Sequence, residues 1–89
     1  MTGNGRRILV VDDEVKIVEV VKSYLEHSGY EVYEAYNGAQ VLSTFERIDP
    51  SLIVLDLMLP DMSGEEICKA IRKRSRIPII MLTAKVEEE

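Results

Sequence analysis

Three carboxylates stand at the ends of two apolar runs. Asp12 and Asp13 close Ile8-Leu9-Val10-Val11, and Asp56 closes Leu52-Ile53-Val54-Leu55. A buried strand that ends in acid carries a cost, because an unpaired carboxylate taken out of water loses on the order of several kcal/mol. Two such ends brought together need a proton, a hydrogen-bond cage or a cation. Aspartate oxygens with positions left open for water and phosphate suit Mg2+, which sheds water reluctantly and takes one or two carboxylates from protein.

The elements that must position these acids alternate along the chain. Residues Arg7–Val11 read as a fully buried strand. Residues Glu14–Ser28 read as an amphipathic helix with apolar positions at 17, 18, 21, 24 and 25, stopped by Gly29. A short Val- and Tyr-containing strand follows over Glu31–Tyr36, then an Asn37-Gly38 turn and a helix over Ala39–Ile48 ended by Asp49-Pro50. The third strand spans Leu52–Leu57. Beyond a loop with Pro60, Ser63 and Glu66 have the spacing of a capping box for a helix reaching Lys73. Pro78 opens a last strand, Ile79–Thr83. The order βαβαβαβ, with near-continuous apolar character in strands one, three and four, predicts a parallel α/β sheet covered on both faces. The tyrosines at 24, 30, 33 and 36, with Phe45, read as core or helix-face packing.

Composition narrows the function. Over 89 residues, 46% are hydrophobic and 30% charged, as in one small globular domain, and no apolar run approaches the length of a membrane span. No export signal is readable before the first strand, so a cytoplasmic protein with no membrane partner is expected. A net charge of −5 argues against a nucleic-acid surface. The cluster Arg72, Lys73, Arg74, Arg76 reads as a solvated helix end, and His27 as a helix-end residue favoured by the dipole. The lone Cys68 reads as a packed thiol.

Taken together, Asp12-Asp13, the segment Asp56-Leu57-Met58-Leu59-Pro60-Asp61-Met62-Ser63-Gly64 and Thr83-Ala84 make the chain resemble the receiver domain of a two-component response regulator. The resemblance runs from Arg7 to Lys85. It implies a flavodoxin-like doubly wound parallel sheet of strand order 2-1-3-4, with ligands at the carboxyl ends of the strands. It implies Asp56 as phosphoacceptor for a sensor histidine kinase, and Mg2+ held by Asp12, Asp13, Asp56 and the backbone carbonyl of Met58. It also implies Thr83 as the hydroxyl that contacts the phosphoryl group and reports its arrival. Pro60 and Gly64 would shape the loop holding the Met58 carbonyl.

The residues taken singly have plainer readings. Asp13 alone would be a helix N-cap and Thr83 a strand-end hydroxyl. The chain also departs from the family: the fourth helix, fifth strand and fifth helix are not in it, nor is the lysine at the end of that strand, for which Lys85 is out of position. The expected organisation is a disordered tail over 1–6, a truncated receiver over 7–86 and an acidic end over 87–89. Strand four then has an open apolar edge and the sheet an uncovered face, which predicts self-association through Ile79–Leu82 and the side of the first helix around Val18, Val21 and Leu25. Three functions compete: a signalling phosphoacceptor phosphorylated at Asp56 by a kinase with Mg2+ and self-hydrolysing, whose own catalysis is at most Mg2+-dependent self-phosphorylation and self-dephosphorylation; a phosphorylation-impaired fragment that acts as a self-associating binding module; and a phosphatase with an aspartyl intermediate. The last lacks a general acid two residues after Asp56, where Met58 stands.

Overall fold

A computed structural model describes residues 6–82. Four strands, β1 (Arg7–Val11), β2 (Glu31–Ala35), β3 (Leu52–Asp56) and β4 (Ile79–Leu82), alternate with three helices, α1 (Val15–His27), α2 (Gly38–Ile48) and α3 (Gly64–Arg72). All pairings are parallel and the sheet order is β2-β1-β3-β4, the flavodoxin-like arrangement expected.

Alternation along the strands divides the core in two. Leu9, Val11, Ala35, Ile53 and Leu55 face α2 and α3, where Val41, Phe45, Ile48, Ile67 and Ile71 meet them. Ile8, Val10, Val32 and Val54 face α1 through Val18, with Val21, Leu25 and Leu82 packed alongside. Central strands β1 and β3 are apolar on both faces because both faces are covered.

The helix ends follow the expected stop and start signals. Gly29, at φ +95°, turns the chain out of α1 and donates its N–H to the Glu26 carbonyl at 3.0 Å. Asp49 closes α2 in the left-handed region, and the guanidinium of Arg7 donates to the Ile48 carbonyl at 3.1 Å. Ser63 and Glu66 form the full capping box, with Glu66 N–H donating to Ser63 Oγ and Ser63 N–H to Glu66 Oε1. Of the tail expected over 1–6, only Arg6 is among the described residues. Its carbonyl accepts the Glu31 N–H and its guanidinium lies over the Tyr30 ring.

Three expectations are corrected. Tyr24 is not packed but 76% exposed, and Val18, expected on an exposed side of α1, is fully buried. The buried line of α1 runs through 18, 21 and 25. That rotation leaves Val20 and Tyr24 in solvent, while Tyr30, Tyr33 and Tyr36 pack as expected. Nor is β4 covered on both faces: Ile80 is 50% and Met81 38% exposed, because among the described residues no helix packs extensively over β4, whose element contacts are with β3.

Gly64 marks a point where backbone meets backbone. A Cβ there would lie 2.9 Å from Leu57 Cα and 3.1 Å from the Asp56 carbonyl oxygen. Neither atom can swing aside as a side chain does, so Gly64→Ala should lower stability more than Ser63→Ala, whose loss of one cap bond is worth about 1 kcal/mol. Denaturant unfolding of the two variants checks the order. Equal losses would mean that the loop yields freely.

Candidate functional site

The register of β1 against β3 builds the site. Val10 pairs with Val54 and Val11 with Leu55, so the next residues, Asp12 and Asp56, emerge side by side at the carboxyl edge of the sheet. Both are buried, at 5% and 2% exposure, and Asp13 is exposed beside them. One carboxylate oxygen from each of the three lies within 4.8 Å of the others.

Hydrogen bonds hold the two buried acids but leave oxygens free. Asp12 is tied to β2 by its own N–H, which donates to the Ala35 carbonyl at 3.2 Å, and its Oδ1 accepts the Glu14 N–H at 2.9 Å. Asp56 Oδ1 accepts the Met58 N–H at 3.2 Å. The plainer reading of Asp13 fails: Glu14 occupies the N-cap position of α1 without a side-chain cap bond, so Asp13 is free of that duty.

Burial, and after it repulsion from Asp56, Asp13 and Glu14, holds the Asp12 carboxyl above the usual aspartate range; the Glu14 N–H works against both. A hard cation fits this donor set. Three close carboxylates, two of them buried and one held above its ordinary range by burial and by its acidic neighbours, supply the all-oxygen environment that Mg2+ takes and an electrostatic reason to take it.

The loop between β3 and α3 completes the surroundings. Gly64 N–H donates to the Leu57 carbonyl at 2.7 Å, and Met58 bridges Ser63 across the loop. The Met58 backbone is thereby fixed within two residues of Asp56. Thr83, with Ala84 and Lys85, lies outside the described residues.

One residue at this end of the sheet was not singled out from sequence. Asp61 reaches across to the start of α2, where its Oδ1 accepts the Gly38 N–H at 2.7 Å and its Oδ2 the Ala39 N–H at 3.1 Å. Those two bonds, the Gly38 one foremost, hold its carboxyl below the ordinary range. No local pattern carries this signal, since 22 and 23 positions separate the partners.

The two shifted acids act on stability in opposite senses. Asp61, lowered in the folded state, stabilises above its unfolded pKa, and that contribution is lost as pH falls through its folded value. Asp12, raised in the folded state, destabilises at neutral pH and is relieved as pH falls through its folded value. Asp12→Asn keeps an acceptor for Glu14 and removes the charge. Without metal at pH 7 it should be more stable than wild type by roughly 1 kcal/mol, the usual scale of one substitution, with the gap closing on acidification. Mg2+ should raise the thermal midpoint of wild type and barely move the variant. A variant less stable than wild type throughout would show that Asp12 is not repelled.

Comparison with known proteins agrees with this geometry. The sequence matches the response regulator receiver domain family over residues 8–89. It is 47% identical over 81 residues to a probable transcriptional regulator, ycf27, of Cyanophora paradoxa, covering 91% of this chain and 34% of that protein. Thus the chain spans about a third of the length of that relative. Among solved structures, the response regulator TrrA of Thermotoga maritima in complex with Mg2+-BeF superposes with a TM-score of 0.83 at 43% identity, over 90% of this chain and 70% of that one. The chemotaxis response regulator CheY4 of Vibrio cholerae superposes at 0.87 with 33% identity, over 94% and 72%. A structure of the histidine kinase ThkA in complex with TrrA matches at 0.84 and 42% identity, over 92% and 72%. With an acid cluster at the strand ends and this sheet order, the chain belongs to the response regulator receiver domain family.

Proposed function

We propose that this chain is the phosphoacceptor module of a two-component system, taking a phosphoryl group from a sensor histidine kinase onto Asp56 with Mg2+ as cofactor. The observation that carries the reading is the meeting of Asp12, Asp13 and Asp56 at the carboxyl ends of β1 and β3 in a chain of the receiver family. The TrrA structure with Mg2+-BeF and the ThkA–TrrA complex support the cofactor and the partner by analogy.

An oxygen of Asp56 attacks the phosphorus of a phosphohistidine. The new P–O bond makes an acyl phosphate, the P–N bond breaks, and the imidazole departs. Asp12, Asp13, Asp56 and the Met58 carbonyl would hold Mg2+, whose charge offsets that of the phosphoryl oxygens. The Met58 N–H, on Asp56 Oδ1, steadies the carboxylate and would leave its other oxygen for the attack. Thr83, the next residue in sequence after Leu82, would contact a phosphoryl oxygen. Phosphoryl transfer is mostly positioning and electrostatics, and little else is required of the protein.

The kinase needs a surface beside Asp56. Helix α1 starts two residues after Asp13, with Glu14 as its N-cap, and exposes Ile17, Val20 and Tyr24 along one side. An apolar stripe on one helix suits a partner helix laid against it. The receiver unit is taken as 7–86, and a cytoplasmic home and a surface without nucleic-acid contact agree with the kinase partner and the net charge of −5. Among the described residues no helix is long and apolar enough to cross a membrane.

A second reading, self-association, rests on β4. Its outer edge is unpaired among the described residues, Ile80 and Met81 expose both of its faces, and an open groove runs beside it along Cys68, Arg72 and Met81. Fully burying a large apolar side chain is worth roughly 1.5 to 3 kcal/mol, enough to favour strand pairing between two copies.

Labelling with a small acyl-phosphate donor and Mg2+ should add one phosphoryl group to the wild type and none to Asp56→Asn, read by intact mass. Labelling that survives the substitution places the acceptor elsewhere. Sedimentation at rising concentration should show a dimer that Ile80→Lys weakens, because edge charge blocks strand pairing. A monomer at every concentration would remove the second reading.

A further inference from the structure

The loop from Leu57 to Ser63 carries the backbone that meets Asp56, and its outer end is anchored to a different helix. Helix α2 begins with amides that need acceptors. Asn37, its N-cap, supplies one, accepting the Gln40 N–H on Oδ1 at 2.9 Å. The Val41 N–H enters the helical ladder by donating to the Asn37 carbonyl at 3.1 Å. The two amides left over, Gly38 and Ala39, are both taken by the single carboxylate of Asp61, one on each oxygen. Two bonds to adjacent amides fix the orientation of that carboxylate as one bond would not, and the positive end of the helix dipole favours its charge.

Packing reinforces the anchor. A Cβ at Gly38 would lie 2.5 Å from Met62 Sδ and 2.9 Å from Met62 Cβ, so the residue after Asp61 rests directly on the first turn of α2. Leu59 and Met62 also pack against the core beneath α2 and α3. The loop is therefore closed at its base by the Gly64–Leu57 bond and the Met58–Ser63 bridge, and pinned at its far end by Asp61 and Met62. An ordinary cap for α2 needs only Asn37 and water. A carboxylate delivered from 22 positions away does something for the loop that delivers it.

We infer that Asp61 is a positioning residue for the phosphoacceptor site, clamping the loop to the start of α2 so that the Met58 backbone is held beside Asp56. The inference rests on the phosphoacceptor reading for its purpose, but the clamp itself can be measured without it. Asp61 is not among the clustered acids, and both of its oxygens are engaged by the Gly38 and Ala39 amides. It acts through the geometry of Met58, three residues before it in the chain.

The experiment compares Asp61→Ala and Asp61→Asn with Asn37→Ala, which removes a cap bond from the same helix without touching the loop. Amide hydrogen exchange without metal is followed at Met58 and Gly64, and Mg2+ affinity is measured by calorimetric titration. Asp61→Ala should speed exchange at both loop amides by about tenfold or more and weaken Mg2+ binding by roughly tenfold, the scale found for groups that orient metal ligands. Asn37→Ala should lower the thermal midpoint by a similar amount, yet leave loop exchange and Mg2+ affinity at wild-type values. Asp61→Asn, which keeps one carbonyl acceptor, should fall between and guards against a poorly folded alanine variant. If the Asp61 and Asn37 variants change loop exchange alike, or Asp61→Ala leaves it unchanged, Asp61 is a helix cap and nothing more. Wild-type protein that binds no Mg2+ would overturn the phosphoacceptor reading instead, which loop exchange distinguishes.

Discussion

Everything at the candidate site depends on one alignment, the parallel register that sets Val11 of β1 opposite Leu55 of β3. Because both strands end within one residue of that pair, Asp12 and Asp56 are forced into each other's company with Asp13 beside them. A sheet could avoid this repulsion by ending either strand in a neutral residue. That it does not, and that burial first and the neighbouring acids after it hold the Asp12 carboxyl above its ordinary range, places an unfavourable charge where a cation and a phosphoryl group could use it. The rest of the fold supplies the apolar mass that makes this charge affordable: both faces of β1 and β3 are buried, and among the described residues no buried side-chain polar atom lacks a partner.

Local devices then fix the directions in which these acids point. The Glu14 N–H engages Asp12 and the Met58 N–H engages Asp56, each two residues further along the chain, so each carboxylate is steered by the loop that leaves its own strand. Gly64 lets the return of the β3–α3 loop pass within contact of Asp56 and Leu57 backbone. Loop geometry and carboxylate geometry are one problem here, since moving Gly64 or the bridge at Met58 moves a donor of Asp56.

Much of this was legible in the sequence. The apolar runs at 8–11 and 52–55, the punctuation at Gly29, Asn37 and Asp49-Pro50, and the Ser63/Glu66 spacing are local signals, and each forms the element expected within a residue or two. The strand order came from resemblance to the receiver family, because periodicity contains no information about which strands are neighbours. What stayed hidden is what rotation and distance decide. The phase of α1 differs by one position between a face through 17 and 24 and a face through 18 and 25, about 100° of turn, and only packing against Val10 and Val54 selects the second. Asp61 was hidden for another reason: its partners are adjacent only after β1 has been inserted between β2 and β3.

The same topology places the site one strand from the edge. Asp56 is paired in register with Leu82 of β4, and the Leu57 N–H donates to the Leu82 carbonyl at 3.2 Å. Whatever engages the outer side of β4 therefore sits one hydrogen-bonded residue from Asp56. A change at Asp56 that shifts Leu82 must alter the affinity at that edge, and by linkage an occupant of the edge must alter the free energy of the change at Asp56 by the same amount. In a sheet this narrow, the exposed strand and the acid cluster share β3 as a common wall, and any coupling between them would need no longer route than the ladder between β3 and β4.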